Sequence, residues 1–251
     1  MRFFAFNVGK GCLKVPKLNI YCYFCDMKLV FATGNKGKLR EAAEILGPDY
    51  EIVSPEELGI FDEVEESGAT FQENSIIKAR YFYEKTGIDC FADDSGLEVD
   101  ALGGAPGIYS ARYASLGGTR DDRPIAMFPA VDHNFDENIA KVYRELDRVR
   151  EEARKAGDPE PAMTARFRCV ATLITGGEEH VFDGTIEGII APESSGSGGF
   201  GYDPIFIPTE YPDPRFPFEK GLTLAQVSEE AKNAISHRGK ALRLMAEWLR
   251  K

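Results

Sequence analysis

The sequence predicts an α/β fold, and three stretches carry that expectation. A short apolar strand over 28–32 runs through the turn Thr33-Gly34-Asn35-Lys36-Gly37-Lys38 into a helix over 38–46, with Leu39, Ala42, Ala43 and Leu46 on one face. A second helix opens at Thr70, and a strand over 89–92 follows it and delivers two adjacent acids, Asp93 and Asp94, at its C-terminal end. Further on, "ARFRCVATLITGGEEHVFDGTIEGII" reads as two or three antiparallel strands. Strands alternating with helices favour α/β, and open sheets of that class bind ligands beyond the C-terminal ends of their strands.

Each element has its own stop and start signals. Gly47-Pro48 closes the first helix. The loop "VSPEELGIFDEVEESGAT" carries a dense acidic run, and Thr70 with Glu73 then forms a capping box for the second helix, which Gly87 ends. Between 114 and 165 the chain predicts an amphipathic helix with Ile139, Val142, Tyr143, Leu146 and Val149 as its apolar stripe, stopped by Gly157 and Pro159. "SSGSGGFGYDPIFIP" is a glycine-rich loop leading into an apolar strand, and two helices around "SEEAKNAISHRGKALRLMAEWLRK" close the sequence. Residues 1–26 read differently from the rest, as an extension ahead of a domain over 27–251.

Composition narrows the function classes. With 251 residues, 43% hydrophobic, the chain can bury a core in one large domain or two lobes. Thirty basic against 41 acidic residues give a net charge of −11, which argues against binding a nucleic-acid backbone. A small anion at a local basic site stays compatible with that charge, above all beside a metal ion. No apolar run approaches the roughly 20 residues of a membrane span. The four-residue run at 3–6 is shorter than a signal-peptide core, so a cytosolic protein is expected. Five cysteines, an odd number, argue against a disulfide framework, and Cys22 and Cys25 in "CYFC" lack the second pair, histidine or helix signal of a metal or redox site.

Four segments carry candidate chemistry. "TGNKGK" is either a plain turn or a phosphate cradle in which glycine amides, Thr33, Asn35, Lys36 and Lys38 meet a helix N-terminus. Glu65 and Glu66 read as solvated acids on their own. Asp93 and Asp94 follow an apolar strand and precede small residues, so they suit Mg²⁺ shared with phosphate oxygens, with one carboxylate taking a proton from water. Phe200 and Tyr202, among glycines, either stack on a base or pack on the next strand, and Asp203 can accept from a ring N–H. Lys232, Ser236, His237 and Arg238 offer either a helix cap with solvated charges or donors to a nucleotide.

Taken together, "FATGNKGKLRE", "SGATFQENSIIKAR", "ADDSGLEVDALGGAPGIYSARY", "GSGGFGYDPIF" and "KNAISHRGKAL" closely resemble the inosine/xanthosine triphosphate pyrophosphatase family, in that family's order, from residue 31 to 242. The resemblance implies an α/β fold with a long mixed central sheet flanked by helices, two lobes with an active-site cleft between them, and a homodimer. It implies Mg²⁺-dependent hydrolysis of ITP, dITP and XTP to the monophosphate and pyrophosphate. Carried over by position, Thr33, Gly34, Asn35, Lys36, Gly37 and Lys38 would hold the triphosphate. Asp94 would be catalytic base and metal ligand, Glu65 a second metal acid that one residue's slip turns into Glu66, and Lys78 would sit near the phosphates. Ser95 would touch substrate, and Phe200, Gly201, Tyr202, Asp203, Lys232, His237 and Arg238 would form the nucleoside pocket. Two features depart from the pattern: the leader over 1–26 and the long segment over 114–165. The rival readings are a pyrophosphatase for another modified nucleotide and a nucleotide sensor without turnover.

Overall fold

The computed structural model describes the backbone of residues 4–8 and 11–15, and residues 27–116, 134–210 and 213–251. Cys22, Cys25 and the stretch over 117–133 lie outside the described residues. In the leader, β1 (Phe4–Val8) pairs antiparallel with β2 (Gly11–Val15), a hairpin that the sequence reading did not anticipate.

The main sheet has six strands in the order β4-β3-β5-β6-β7-β8. β3 (Met27–Phe31) leads into α1 (Lys36–Leu46) and returns as β4 (Tyr50–Val53), parallel to β3. α2 (Phe71–Thr86) is capped at Thr70, whose hydroxyl accepts from the Glu73 amide, and ends at Gly87 in the left-handed conformation. β5 (Cys90–Val99) runs parallel to β3, but only over Val30–Phe31 against Cys90–Phe91. Here the structure corrects the sequence reading. The acids are not at a strand end: β5 continues through Asp93 and Asp94 to Val99, because β6 (Thr164–Thr175) pairs with it along its whole length. What ends is β3, so the pair emerges where the parallel neighbour stops and the antiparallel one goes on.

β6 turns into β7 (Glu178–Ile190) through Gly176-Gly177, both at positive φ (58° and 86°), the backbone that a two-residue hairpin turn requires. β8 (Phe206–Pro208) closes the edge. α3 (Phe135–Ala156) buries Ile139, Val142 and Leu146 of the expected stripe, with Tyr143 and Val149 half-buried. α4 (Glu229–Ile235) and α5 (His237–Leu249) follow. The core is divided. Leu29, Phe31, Leu46, Leu173 and Met245 pack in one cluster. Leu97, Tyr113, Leu146, Ile186 and Phe206 form another at the far end of the long strands. A third cluster, with Val30, Ala79, Phe82 and Cys90, packs α2 against the sheet, and the first two mark the two lobes.

Candidate active site

Between the lobes lies a cleft of about 1100 Å³, lined by parts of α1, α2, β5, the 3₁₀ segment over 107–115, the loop over 198–203 and the start of α5. The two adjacent acids face opposite duties. Asp93 is only 2% exposed, and its carboxylate accepts from Lys38 Nζ at 2.9 Å and Arg238 Nε at 2.9 Å. Burial alone would raise its pKa, but the charges of Lys38, Arg238 and Lys78 hold it well below the usual carboxylate range. Asp94 borders the cleft and accepts from Asn74 Nδ2 and its neighbour's Ser95 amide, both at 3.0 Å. Its pKa is raised, chiefly by burial and further by the nearby negative charge of Glu66, against the pull of Lys78. The sequence placed a cation opposite the pair as a whole. For Asp93 the cations are protein side chains, and of the two acids only Asp94 keeps a raised proton affinity at the cleft.

Lys78 joins these groups. Its Nζ donates to the Asp93 carbonyl at 2.7 Å, pairs with Glu66 Oε1 at 2.7 Å and lies 3.9 Å from Asp94 Oδ1. Burial would lower its pKa, yet Asp94, Glu66 and Asp93 together raise it, so it stays charged. Of the two adjacent glutamates, Glu66 is therefore the acid held against the Lys78–Asp94 pair; Glu65 is exposed and lines the same cleft.

The turn before α1 places Thr33, Asn35, Gly37 and Lys38 on the cleft wall, whereas Gly34 and Lys36 are exposed and outside the lining. Asn35 Oδ1 caps the helix by accepting from the Gly37 and Lys38 amides at 2.9 and 3.1 Å, so these donors are already satisfied by a side chain. A phosphate at this helix end would have to share them with Asn35.

At the opposite end of the cleft the aromatic pair divides. Phe200 is 55% exposed and meets Phe135 edge-on, with ring centroids 4.8 Å apart. Tyr202 is 2% exposed and donates its hydroxyl to the Ser110 carbonyl at 2.8 Å, so it ties two walls together and is no stacking surface. Asp203 accepts from Lys232 Nζ at 2.5 Å and from the Phe200 amide. Gly199 has to be glycine here: φ is +79°, and a Cβ would lie 2.3 Å from Asp203 Oδ2. His237 stacks on Phe167 with centroids 4.9 Å apart, and its Nδ1 is buried without a hydrogen-bond partner among the described residues. Burial first, then Arg238 and Lys232, push its pKa well below the ordinary value, leaving a neutral ring. Arg238 Nη1 binds Glu41 at 3.0 Å, and Nη2 faces Ser95 Oγ at 3.5 Å.

Sequence reasoning missed Glu41, Asn74, Ser110 and Arg112. Glu41 carried a signal: it follows Lys38 by one helical turn and so shares its face. Asn74, a polar residue in the buried face of α2, carried another. Ser110 and Arg112 sit in a 3₁₀ segment with no periodicity to reveal them.

A mixed sheet that presents carboxylates, lysines and an aromatic edge to one cleft defines an α/β protein built to hold a small anionic ligand with a ring. The chain belongs to the Ham1 family, whose family model matches residues 29–248. A dITP/XTP pyrophosphatase of Desulforamulus reducens is 46% identical over 225 residues, covering 89% of this chain and 96% of that protein. One from Geobacter sulfurreducens is 44% identical, covering 88% and 96%. The solved Ham1 protein structures from Staphylococcus aureus and Coxiella burnetii are similar at TM-scores of 0.66 and 0.69, with 37% and 34% identity. Each covers 89% of this chain, which covers 98% of either.

Proposed function

We propose that the protein hydrolyses deaminated purine nucleoside triphosphates, ITP, dITP and XTP, to the monophosphate and pyrophosphate. The observation that carries this reading is the pairing of Asp94 with Lys78 and Glu66 at one end of the cleft and an exposed ring, Phe200, at the other. The curated relatives' names add the substrate class.

A divalent cation fits the acids. Asp94 is raised by burial and by Glu66, so a cation beside it would relieve both. No group of three His, Cys, Asp or Glu among the described residues could hold a metal alone. Mg²⁺ is suited to such a place, since it takes one or two carboxylates and completes its shell with phosphate oxygens and water. Asp94 with Glu66 or Glu65 would hold it, and when bound it would neutralise charge on the triphosphate. Lys38 and Lys78, each paired with an acid, stand at the same end. Asp94 accepts the proton of a water whose oxygen bonds to the α-phosphorus, and the bond from that phosphorus to the bridging oxygen breaks to release pyrophosphate. Burial strengthens Asp94 as that acceptor by raising its proton affinity. A sensor without turnover has no need of such a base. Arg238, a pure donor, suits the 6-keto group of hypoxanthine and xanthine and not the 6-amino group of adenine.

We further infer a homodimer acting in the cytoplasm, with residues 27–251 as the catalytic domain. The family match over 29–248 supports that division. No helix among the described residues is long and apolar enough to cross a membrane. Chromatographic analysis of the products from ITP tests the reaction: IMP and pyrophosphate, formed only with added Mg²⁺, are expected, while IDP and phosphate would sink the reading.

A further inference from the structure

The cations lining the cleft are nearly all neutralised in place. Lys38 pairs with Asp93, Arg40 with Glu229, Lys78 with Glu66, Lys232 with Asp203, and Arg238 with Glu41 and Asp93. Arg112 also lines the cleft, yet its Nε and Nη2 are buried and have no hydrogen-bond partner among the described residues. No ion pair is seen for it among those residues either. A guanidinium is a donor only, and donors withdrawn from water without an acceptor are costly. An acceptor supplied by the ligand removes that cost.

The position of Arg112 indicates which part of the ligand it meets. It belongs to the 3₁₀ segment over 107–115, at the point where the backbone leaves helical geometry (φ −135°, ψ 24°). Two residues earlier, the Ser110 carbonyl takes the Tyr202 hydroxyl at 2.8 Å. The Ala111 carbonyl takes Asn138 Nδ2, one turn into the helix that begins with Phe135, the ring packed on Phe200. Arg112 is thus anchored in the wall that carries Phe200 and Tyr202, whereas the phosphate-end cations Lys38 and Lys78 come from α1 and α2.

We propose that Arg112 reads the 2-position of the purine, donating to the 2-keto oxygen of xanthine and meeting the 2-amino group of guanine donor against donor. This rests on the reading that the cleft takes deaminated purine nucleotides, and it supplies what a 6-keto contact cannot: guanine shares the 6-keto group and carries an amino group where xanthine has its 2-keto oxygen. Hypoxanthine, with hydrogen there, neither gains nor clashes.

The test is kcat/KM for XTP, ITP, GTP and ATP on the wild type, on Arg112→Met and on Arg112→Lys, with melting temperatures for each. In Arg112→Met the XTP-to-ITP ratio should fall about ten- to a hundred-fold, the worth of one charge-assisted hydrogen bond, and the GTP-to-ITP ratio should rise. Arg112→Lys, which keeps the charge without the fork, should lie between, and it carries the test if the methionine variant fails to fold. Equal losses on all four nucleotides would mean a phosphate contact or a packing role, and unchanged ratios would mean no contact at all; either overturns the proposal. If the wild type itself takes ATP as well as ITP, the underlying reading fails before any variant is compared.

Discussion

Asp93 and Asp94 are chemically identical neighbours whose surroundings separate them. Asp93 is saturated by Lys38 and Arg238, while Asp94 is left half-satisfied at the cleft with raised proton affinity. Asn substitutions should therefore have opposite signatures. Asp94→Asn removes the proton acceptor, so turnover should drop roughly 10²–10⁴-fold, with the melting temperature held or raised because a strained buried charge is gone. Asp93→Asn leaves two cations facing a neutral amide and should cost stability, at most about 3–5 kcal/mol since both partners keep some water contact. Calorimetry beside steady-state kinetics separates the two; a stable but inactive Asp93→Asn, or an unstable Asp94→Asn, would reverse the roles. His237 adds a pH signature. Its folded pKa lies below the ordinary 6.5, so under that pH the unfolded chain binds a proton that the native one refuses. Stability should be full above about pH 6.5 and should fall as pH drops toward the folded pKa. His237→Phe should flatten the melting-temperature profile below about pH 6.5; an unaltered slope would show that other groups set it.

At the scale of elements, Gly184 shows how the strands hold the site. It lies in the middle of β7, and a Cβ there would come within 2.1 Å of the His237 carbonyl and 2.5 Å of the Ala241 amide, both in α5. The first turn of α5, which carries His237 and Arg238, is seated directly on the sheet through that gap. Gly184→Ala should cost about 1–3 kcal/mol, roughly 2–4 °C of melting temperature per kcal/mol in a chain of this size. It should also reduce kcat/KM, because Arg238 shifts with the helix; a drop in stability with kinetics untouched would show that the helix start is not what sets the site. Much of this level was legible in the sequence. Period and capping residues marked α1, α2, α3 and the β6–β7 hairpin, and clustered motifs marked most of the cleft. The full extent of β5 was not legible, since two acids and a glycine read locally as a strand's end, and only the pairing of Asp93–Val99 with β6 keeps them in the ladder. Tyr202 and Phe200 were indistinguishable by pattern. Burial of one and exposure of the other depend on Ser110 and Phe135, far away in sequence.

The whole molecule is an acidic protein, net −11, that gathers cations around one cleft between its lobes. The proposed division at residue 27 leaves the leader outside the catalytic lobes. Protein starting at Met27 should then melt within a degree or two of the full chain and turn over ITP equally well; a large loss of stability would show that the β1–β2 hairpin packs on the core. Selection between purines is read most directly from kcat/KM for ITP against ATP on the full-length wild type, measured as pyrophosphate released. Adenine would set its 6-amino donor against Arg238, leaving donors unsatisfied at about 1–3 kcal/mol each. ITP should therefore exceed ATP by about ten-fold or more; equal values for the two would contradict the account.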